Sequence, residues 1–297
     1  MYEFVAPRIR IILEQSSVVP LEEVRLRVNQ PLTVKSRGRY CYLDEQGNTT
    51  ALKQAYRVTS DDLMRTVQIL TNNSWYAWEE EIRSGYLTVP GGHRVGFCGR
   101  AVLYGGRIKT IHSVSSLSIR VARQIYGAAD GVIGRICPGV GKVRSTLVIS
   151  PPGCGKTTLL RDVARQIAAA GIQVVIVDER SEIAACHQGI PQLDVGPQTD
   201  VLDGYPKTEG IMTAVRALSP QVVVTDEIGH PDDAAALAEL ARSGVSVIAS
   251  CHGEDVQQVR ARKWISECLS VFELAVVLSR RQGPGTIEQV LSLGRRT

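Results

Sequence analysis

Two kinds of apolar periodicity divide the chain. In its first part, apolar and polar positions alternate. Val24, Leu26 and Val28 fall on one face and Arg25 and Arg27 on the other, the two-residue period of a half-buried strand, in a run from Leu21 to Val34 that turns at Gln30-Pro31. Between residues 86 and 125, Val95, Phe97, Val102, Leu103, Ile119 and Val121 supply strand-forming side chains around the turn signals Pro90-Gly91-Gly92 and Gly105-Gly106. A helix with Ser60 as its cap keeps Leu63, Val67 and Leu70 on one face, and a second, short helix is expected from Trp75 to Ile82, stopped near Gly85. These elements predict an α+β domain with antiparallel strands.

After residue 141 the pattern changes to unbroken apolar runs. Thr146 to Ile149, Val174 to Val177, Val222 to Val224 and Val245 to Ser250 read as strands, separated by helices at 158–170, 210–218 and 233–242. Strands that are apolar on both faces, alternating with amphipathic helices, predict an α/β fold with a mainly parallel sheet covered on both sides. The expected organisation is an N-terminal α+β domain over 1–128, a glycine-rich linker or hinge over 129–141 with a short helix at 132–136, and an α/β domain over 142–297.

Composition agrees with two globular domains: the chain has 297 residues, 44% of them hydrophobic. The net charge of +4 is too small to imply nucleic acid by itself, although the first 130 residues carry 17 Lys and Arg against 12 Asp and Glu. That bias suits phosphates, a membrane surface or an acidic partner. Seven cysteines, an odd number without a CxxC pair, read as reduced thiols in a cytosol, and Cys186-His187 and Cys251-His252 lack zinc-finger spacing. Met1 to Gln15 mixes charges with apolar residues, unlike a signal peptide, and no run of about 18 apolar residues predicts a membrane span. Attachment to a membrane would then go through a partner.

The candidate chemistry sits at the ends of the apolar strands. Ser150-Pro151-Pro152-Gly153-Cys154-Gly155-Lys156-Thr157-Thr158 joins a buried strand directly to a helix. Glycines let the backbone curl so that several N–H groups face one anion, and the helix N-terminus adds its partial positive charge. Pro152 to Thr158 are therefore read as a phosphate cradle for ATP, with Lys156 against the outer phosphates and the Thr157 hydroxyl on Mg²⁺. Ser150 stands where the usual GxxxxGK[ST] pattern has its first glycine. The strand 222–224 ends in Asp226 and Glu227: Asp226 would hold Mg²⁺, and Glu227 would orient or deprotonate an attacking water. Asp178-Glu179-Arg180-Ser181-Glu182 follows another strand, where Glu179 and Glu182 would support the metal water or the nucleophile, or form a surface cluster. His252 ends a further strand and would either sense the γ-phosphate or be a satisfied strand-end histidine. Cys154, at a helix N-terminus, is a candidate reactive thiol.

The order of these boxes resembles the secretion ATPases of type II and type IV systems and the pilus retraction motors, a P-loop, RecA-like group. Arg180 replaces the proline usual in their aspartate box. Leu21-Glu22-Glu23-Val24-Arg25-Leu26-Arg27, Gly91 to Gly96, Thr199 to Asp203 and Ser279 to Gly285 narrow the resemblance, over nearly the whole chain, to the stage III sporulation protein AA family of endospore-formation ATPases. The resemblance implies a homo-oligomeric ring, taken as a hexamer, peripheral at the mother-cell face of a membrane channel to the forespore and acting with the channel's membrane proteins. It also implies arginines of the N-terminal domain near the phosphates, for which Arg100 and Arg120 are the candidates. Three other readings stay open: a nucleic-acid motor, for which the front half lacks a base-stacking platform; a nucleotide-gated scaffold, which has no use for Glu227; and a small-molecule kinase, for which no arginine-rich lid is seen.

Overall fold

The structure is a computed structural model that describes residues 1–83 and 85–294. It divides into two compact units, Met1–Arg123 and Gln124–Thr297, the last three residues lying outside those described.

The first unit is built on one antiparallel sheet. Its strands are β1 (Leu21–Arg27), β2 (Thr33–Ser36), β3 (Arg39–Leu43), β4 (Thr49–Thr50), β5 (Tyr86–Val89), β6 (His93–Tyr104) and β7 (Arg107–Arg120), in the order β4-β3-β2-β1-β7-β6-β5. The helices α1 (Pro7–Gln15), α2 (Ser60–Leu70) and α3 (Glu79–Arg83) accompany it. The alternation along β1 does what it predicts: Val24 and Leu26 are fully buried with Val95, Ile119 and, from the helices, Ile9, Ile12 and Leu63. Gly105 and Gly106 close the β6–β7 hairpin between the paired Tyr104 and Arg107. Both have positive φ, 58° and 77°, the two-residue turn whose twist matches the strands.

Helix α2 is capped one residue earlier than expected. Thr59, not Ser60, is the cap: its side chain accepts from Asp62 N, and the Asp62 carboxylate accepts from Thr59 N at 2.9 Å. The reciprocal pair satisfies two otherwise orphaned N–H groups, which a cap at Ser60 would not do.

In the second unit, β8 (Thr146–Ser150), β9 (Val174–Asp178), β10 (Thr199–Asp203), β11 (Val222–Glu227), β12 (Ser246–His252), β13 (Leu274–Ser279) and β14 (Thr286–Ser292) form a sheet in the order β10-β9-β11-β12-β8-β13-β14. All pairs are parallel except β13–β14. The helices are α4 (Ile133–Ile136), α5 (Lys156–Ala169), α6 (Lys207–Thr213), α7 (Asp232–Arg242), α8 (Val256–Arg260) and α9 (Lys263–Cys268).

The unbroken apolar strands serve two cores. Val148, Ile176, Val224, Ile248 and Val276 pack with Leu160, Val163 and Ile167 of α5. Their sequence neighbours Leu147, Val175, Val223, Val247 and Ala275 pack with Ile211, Leu237 and Leu240 on the other face. Each fully buried Val, Leu or Ile contributes about 1.5–3 kcal/mol, which makes this double-sided burial the main source of rigidity for the strand ends. Within the stretch expected to link the domains, Ala129, Val132 and Ile136 are buried in the α5-side core, and Ala129 N donates to the buried Asp162 carboxylate at 2.8 Å. The division between units falls at Arg123 and Gln124 instead.

Candidate functional site

The site lies at the C-terminal ends of β8, β9, β11 and β12, where open parallel sheets bind ligands. Ser150 ends β8, and the chain curls through Gly153 (φ 69°) and Gly155 (φ 90°) into α5, which starts at Lys156. Gly155 is required twice: the left-handed conformation suits glycine, and a Cβ there would lie 3.1 Å from Gly285 N. Gly285 N donates to Cys154 O at 2.9 Å, so the turn between β13 and β14 braces the loop from outside. Arg280, on the same turn, stands against Gly153.

Lys156 Nζ donates to Ser150 O at 3.0 Å and lies 3.0 Å from His252 Nδ1. His252 pairs with Ser150 across the β8–β12 ladder, which is why a strand-end histidine meets the phosphate loop. Its Nε2 lies 2.8 Å from Glu227 Oε2. Burial pushes the Lys156 ammonium below the usual lysine range, and the nearby Glu227 carboxylate opposes that shift.

A cavity of about 450 Å³ is lined by Gly153, Gly155, Lys156, Thr157, Asp226, Glu227 and His252, together with Pro152, Thr158, Glu182 and Arg180. Of the residues expected to contact phosphate, metal or water, all but Cys154, Glu179, Arg100 and Arg120 line this one cavity. Cys154 is 3% exposed, so the thiol expected to be reactive is covered, its Sγ facing Pro152 O at 3.8 Å. Glu179 lines the adjoining cavity of about 700 Å³ with Lys207, Asp226, Glu227 and His230. Arg100 and Arg120 are exposed on β6 and β7 of the first unit.

The loop after β9 is organised by a residue not singled out for this role. Asp178 is fully buried and accepts from the N–H groups of Glu182, Ile183 and Ala184 at 2.8, 2.9 and 2.9 Å. Burial raises its carboxyl above the usual range, with those three donors opposing. The buried Arg161 of α5 donates to the carbonyls of Glu182 and Ile183, fixing the same loop to the helix that starts at Lys156.

Asp226 is pushed up to about 6 by burial, an effect that Lys207 opposes. Its Oδ1 is buried without a hydrogen-bond partner. A threonine hydroxyl on the first turn of α5 and a strand-end carboxylate lining one cavity are hard oxygen donors that fit Mg²⁺. Lys207 was missed in the sequence because it belongs to no periodic face; it stands alone after Gly204-Tyr205-Pro206. No helix among the described residues is long and apolar enough to cross a membrane.

A family model described as "Sporulation stage III, protein AA" matches residues 1–295. Stage III sporulation protein AA of Bacillus subtilis (strain 168) is 40% identical over 278 residues, spanning 91% of this chain and 86% of that protein. Among solved structures, the Legionella pneumophila ATPase DotB covers 90% of this chain and 74% of its own at a TM-score of 0.58 and 15% identity. The pilus retraction motor PilT with bound ADP covers 90% and 76% at a TM-score of 0.59 and 13% identity. At these identities the likeness is one of fold: a P-loop α/β architecture with a mostly parallel sheet.

Proposed function

We propose a function for this chain, which belongs to the sporulation stage III, protein AA family: it binds ATP with Mg²⁺ and hydrolyses it. The observation that carries the reading is the convergence of Lys156, Thr157, Asp226, Glu227 and His252 on one cavity at the phosphate loop.

The backbone N–H groups of Gly153 to Thr157 and the α5 N-terminus bind the phosphates. Lys156 exchanges its present acceptors, Ser150 O and His252 Nδ1, for phosphate oxygens. Thr157 and Asp226 would hold Mg²⁺, which would supply positive charge against the phosphates. Glu227 orients water in line with the γ-phosphate: the new P–O bond forms as the bond to the β-phosphate oxygen breaks, leaving ADP, and the water proton passes through Glu227 to inorganic phosphate. His252 keeps the Glu227 carboxylate turned toward the cavity. Glu179 and Glu182 support the metal water or the nucleophile.

The same reading, resting on the family resemblance, has the chain assemble as a ring, with Arg100 and Arg120 as phosphate contacts, and energise a membrane channel of sporulation through that channel's membrane proteins, on the mother-cell side. Phosphate release from ATP with Mg²⁺ across a range of protein concentrations, with Glu227→Gln alongside, tests it. The expected result is turnover that rises with concentration and a variant that binds without hydrolysing. Binding without hydrolysis by both proteins would favour a nucleotide-gated scaffold.

A further inference from the structure

We infer that Lys207 is a positioning residue for this site: its ammonium holds Asp226 and the Glu227 peptide in the arrangement that metal binding and hydrolysis require. The inference rests on the hydrolytic reading above and adds a residue to it.

Lys207 starts α6 and is 7% exposed. Lysines at helix starts on a surface ordinarily reach for water, because withdrawing an unpaired ammonium from it is costly. Here it turns inward. Nζ donates to the Glu227 carbonyl, lies 3.3 Å from Asp226 Oδ1 and 3.6 Å from Glu179 Oε2. Three oxygens from the ends of β9 and β11 thus surround one cation.

Two details make this more than charge balance. Asp226 Oδ1 is buried and takes no hydrogen bond, so the Lys207 charge is what compensates that oxygen while the same residue lines the phosphate-side cavity. Glu227 is held at both ends: its carbonyl by Lys207, its carboxylate by His252 Nε2 at 2.8 Å. This stretch of β11 also shifts register against β12 between Val224 and Glu227, so the regular ladder does not fix these peptides by itself. With Lys207 gone, the peptide carrying the water-orienting carboxylate loses its anchor on the side away from the nucleotide.

The test uses the full chain with Lys207→Met, which keeps the length and removes the charge, and Lys207→Arg, which restores it. Fluorescent ADP binding is followed in EDTA and across a Mg²⁺ titration, with steady-state hydrolysis and thermal melting in parallel. For Lys207→Met the expected outcome is ADP binding in EDTA close to wild type, while the half-saturating Mg²⁺ rises and kcat falls, each by about 10- to 100-fold as for residues that orient metal ligands, with little change in KM. Lys207→Arg recovers part of both. An unchanged Mg²⁺ midpoint and kcat in Lys207→Met overturn the inference. So does loss of ADP binding in EDTA at an unchanged melting temperature, which would put Lys207 in the phosphate cradle. So does a lowered melting temperature with both losses and no recovery by arginine, a structural role only. If wild type binds nucleotide but never hydrolyses it, the hydrolytic reading fails, while a shifted Mg²⁺ midpoint still upholds Lys207 as the holder of Asp226.

Discussion

Nε2 of His252 and Oε2 of Glu227 are 2.8 Å apart. The other ring nitrogen faces Lys156 Nζ at 3.0 Å, and this pairing fits the tautomer that carries its proton on Nε2: the ammonium donates to Nδ1, and Nε2–H donates to the carboxylate. One imidazole therefore links the Lys156 ammonium to the Glu227 carboxylate. Replacement of His252 by Ala should lower kcat by about 10- to 100-fold, the range for partners that orient a reacting group, with nucleotide affinity nearly kept. Steady-state hydrolysis and fluorescent ADP binding check it. Equal losses of kcat and affinity would instead make His252 part of the cradle.

Gly155→Ala should weaken ADP binding by about 10- to 100-fold, because a left-handed alanine stores on the order of 1–3 kcal/mol that the loop relieves by leaving its cradle shape. The added methyl also meets Gly285 N. Gly171 has a similar φ with open space around it, so Gly171→Ala should leave ADP binding unchanged in the same titration.

His93 makes the first unit sensitive to acid. It is 9% exposed, its Nδ1 accepts from Ala122 N at 3.0 Å, and burial, helped by the N-terminal charge, lowers it from 6.5 to about 4. The unfolded chain binds the proton first, so the stabilisation is complete above pH 6.5 and is lost as pH falls from 6.5 towards 4. Between pH 7.5 and 5 the contribution should drop by about 2 kcal/mol. Denaturant melts at the two pH values, with His93→Gln as comparison, should show the variant losing less stability than wild type.

Thr59→Ala should destabilise the first unit by about 1 kcal/mol, the usual loss for a capping hydroxyl. Ser60→Ala, one residue on, should be nearly silent in the same thermal melts, since Thr59 is the residue whose side chain accepts from Asp62 N.

The legible parts of this molecule were those written locally. The glycines, Lys156 and Thr157 are contiguous, and the curl of a loop from strand into helix needs little beyond its own sequence. Strands with apolar residues on both faces declared a covered parallel sheet. What stayed hidden depends on register between distant segments. Lys207 meets Asp226 and Glu179 because β10 lies beside β9, which in turn pairs with β11, an order that no periodicity encodes. The Thr59 cap was misread by one position because Thr59 and Ser60 are both good caps, and only the reach of Asp62 decides between them. The burial of Ala129, Val132 and Ile136 was masked by the glycines around them, which read as a linker.

The bond from Gly285 to Cys154 has a consequence for the order of synthesis. A ribosome makes Cys154 long before Gly285, and domains fold as their segments emerge. The phosphate loop can curl early, but its outer brace arrives only with the turn after β13. A nascent or truncated chain ending before that turn therefore carries every residue of the Gly153–Thr157 motif and still lacks the hydrogen bond that braces it, so the motif's presence in a fragment does not by itself reproduce the loop of the whole chain.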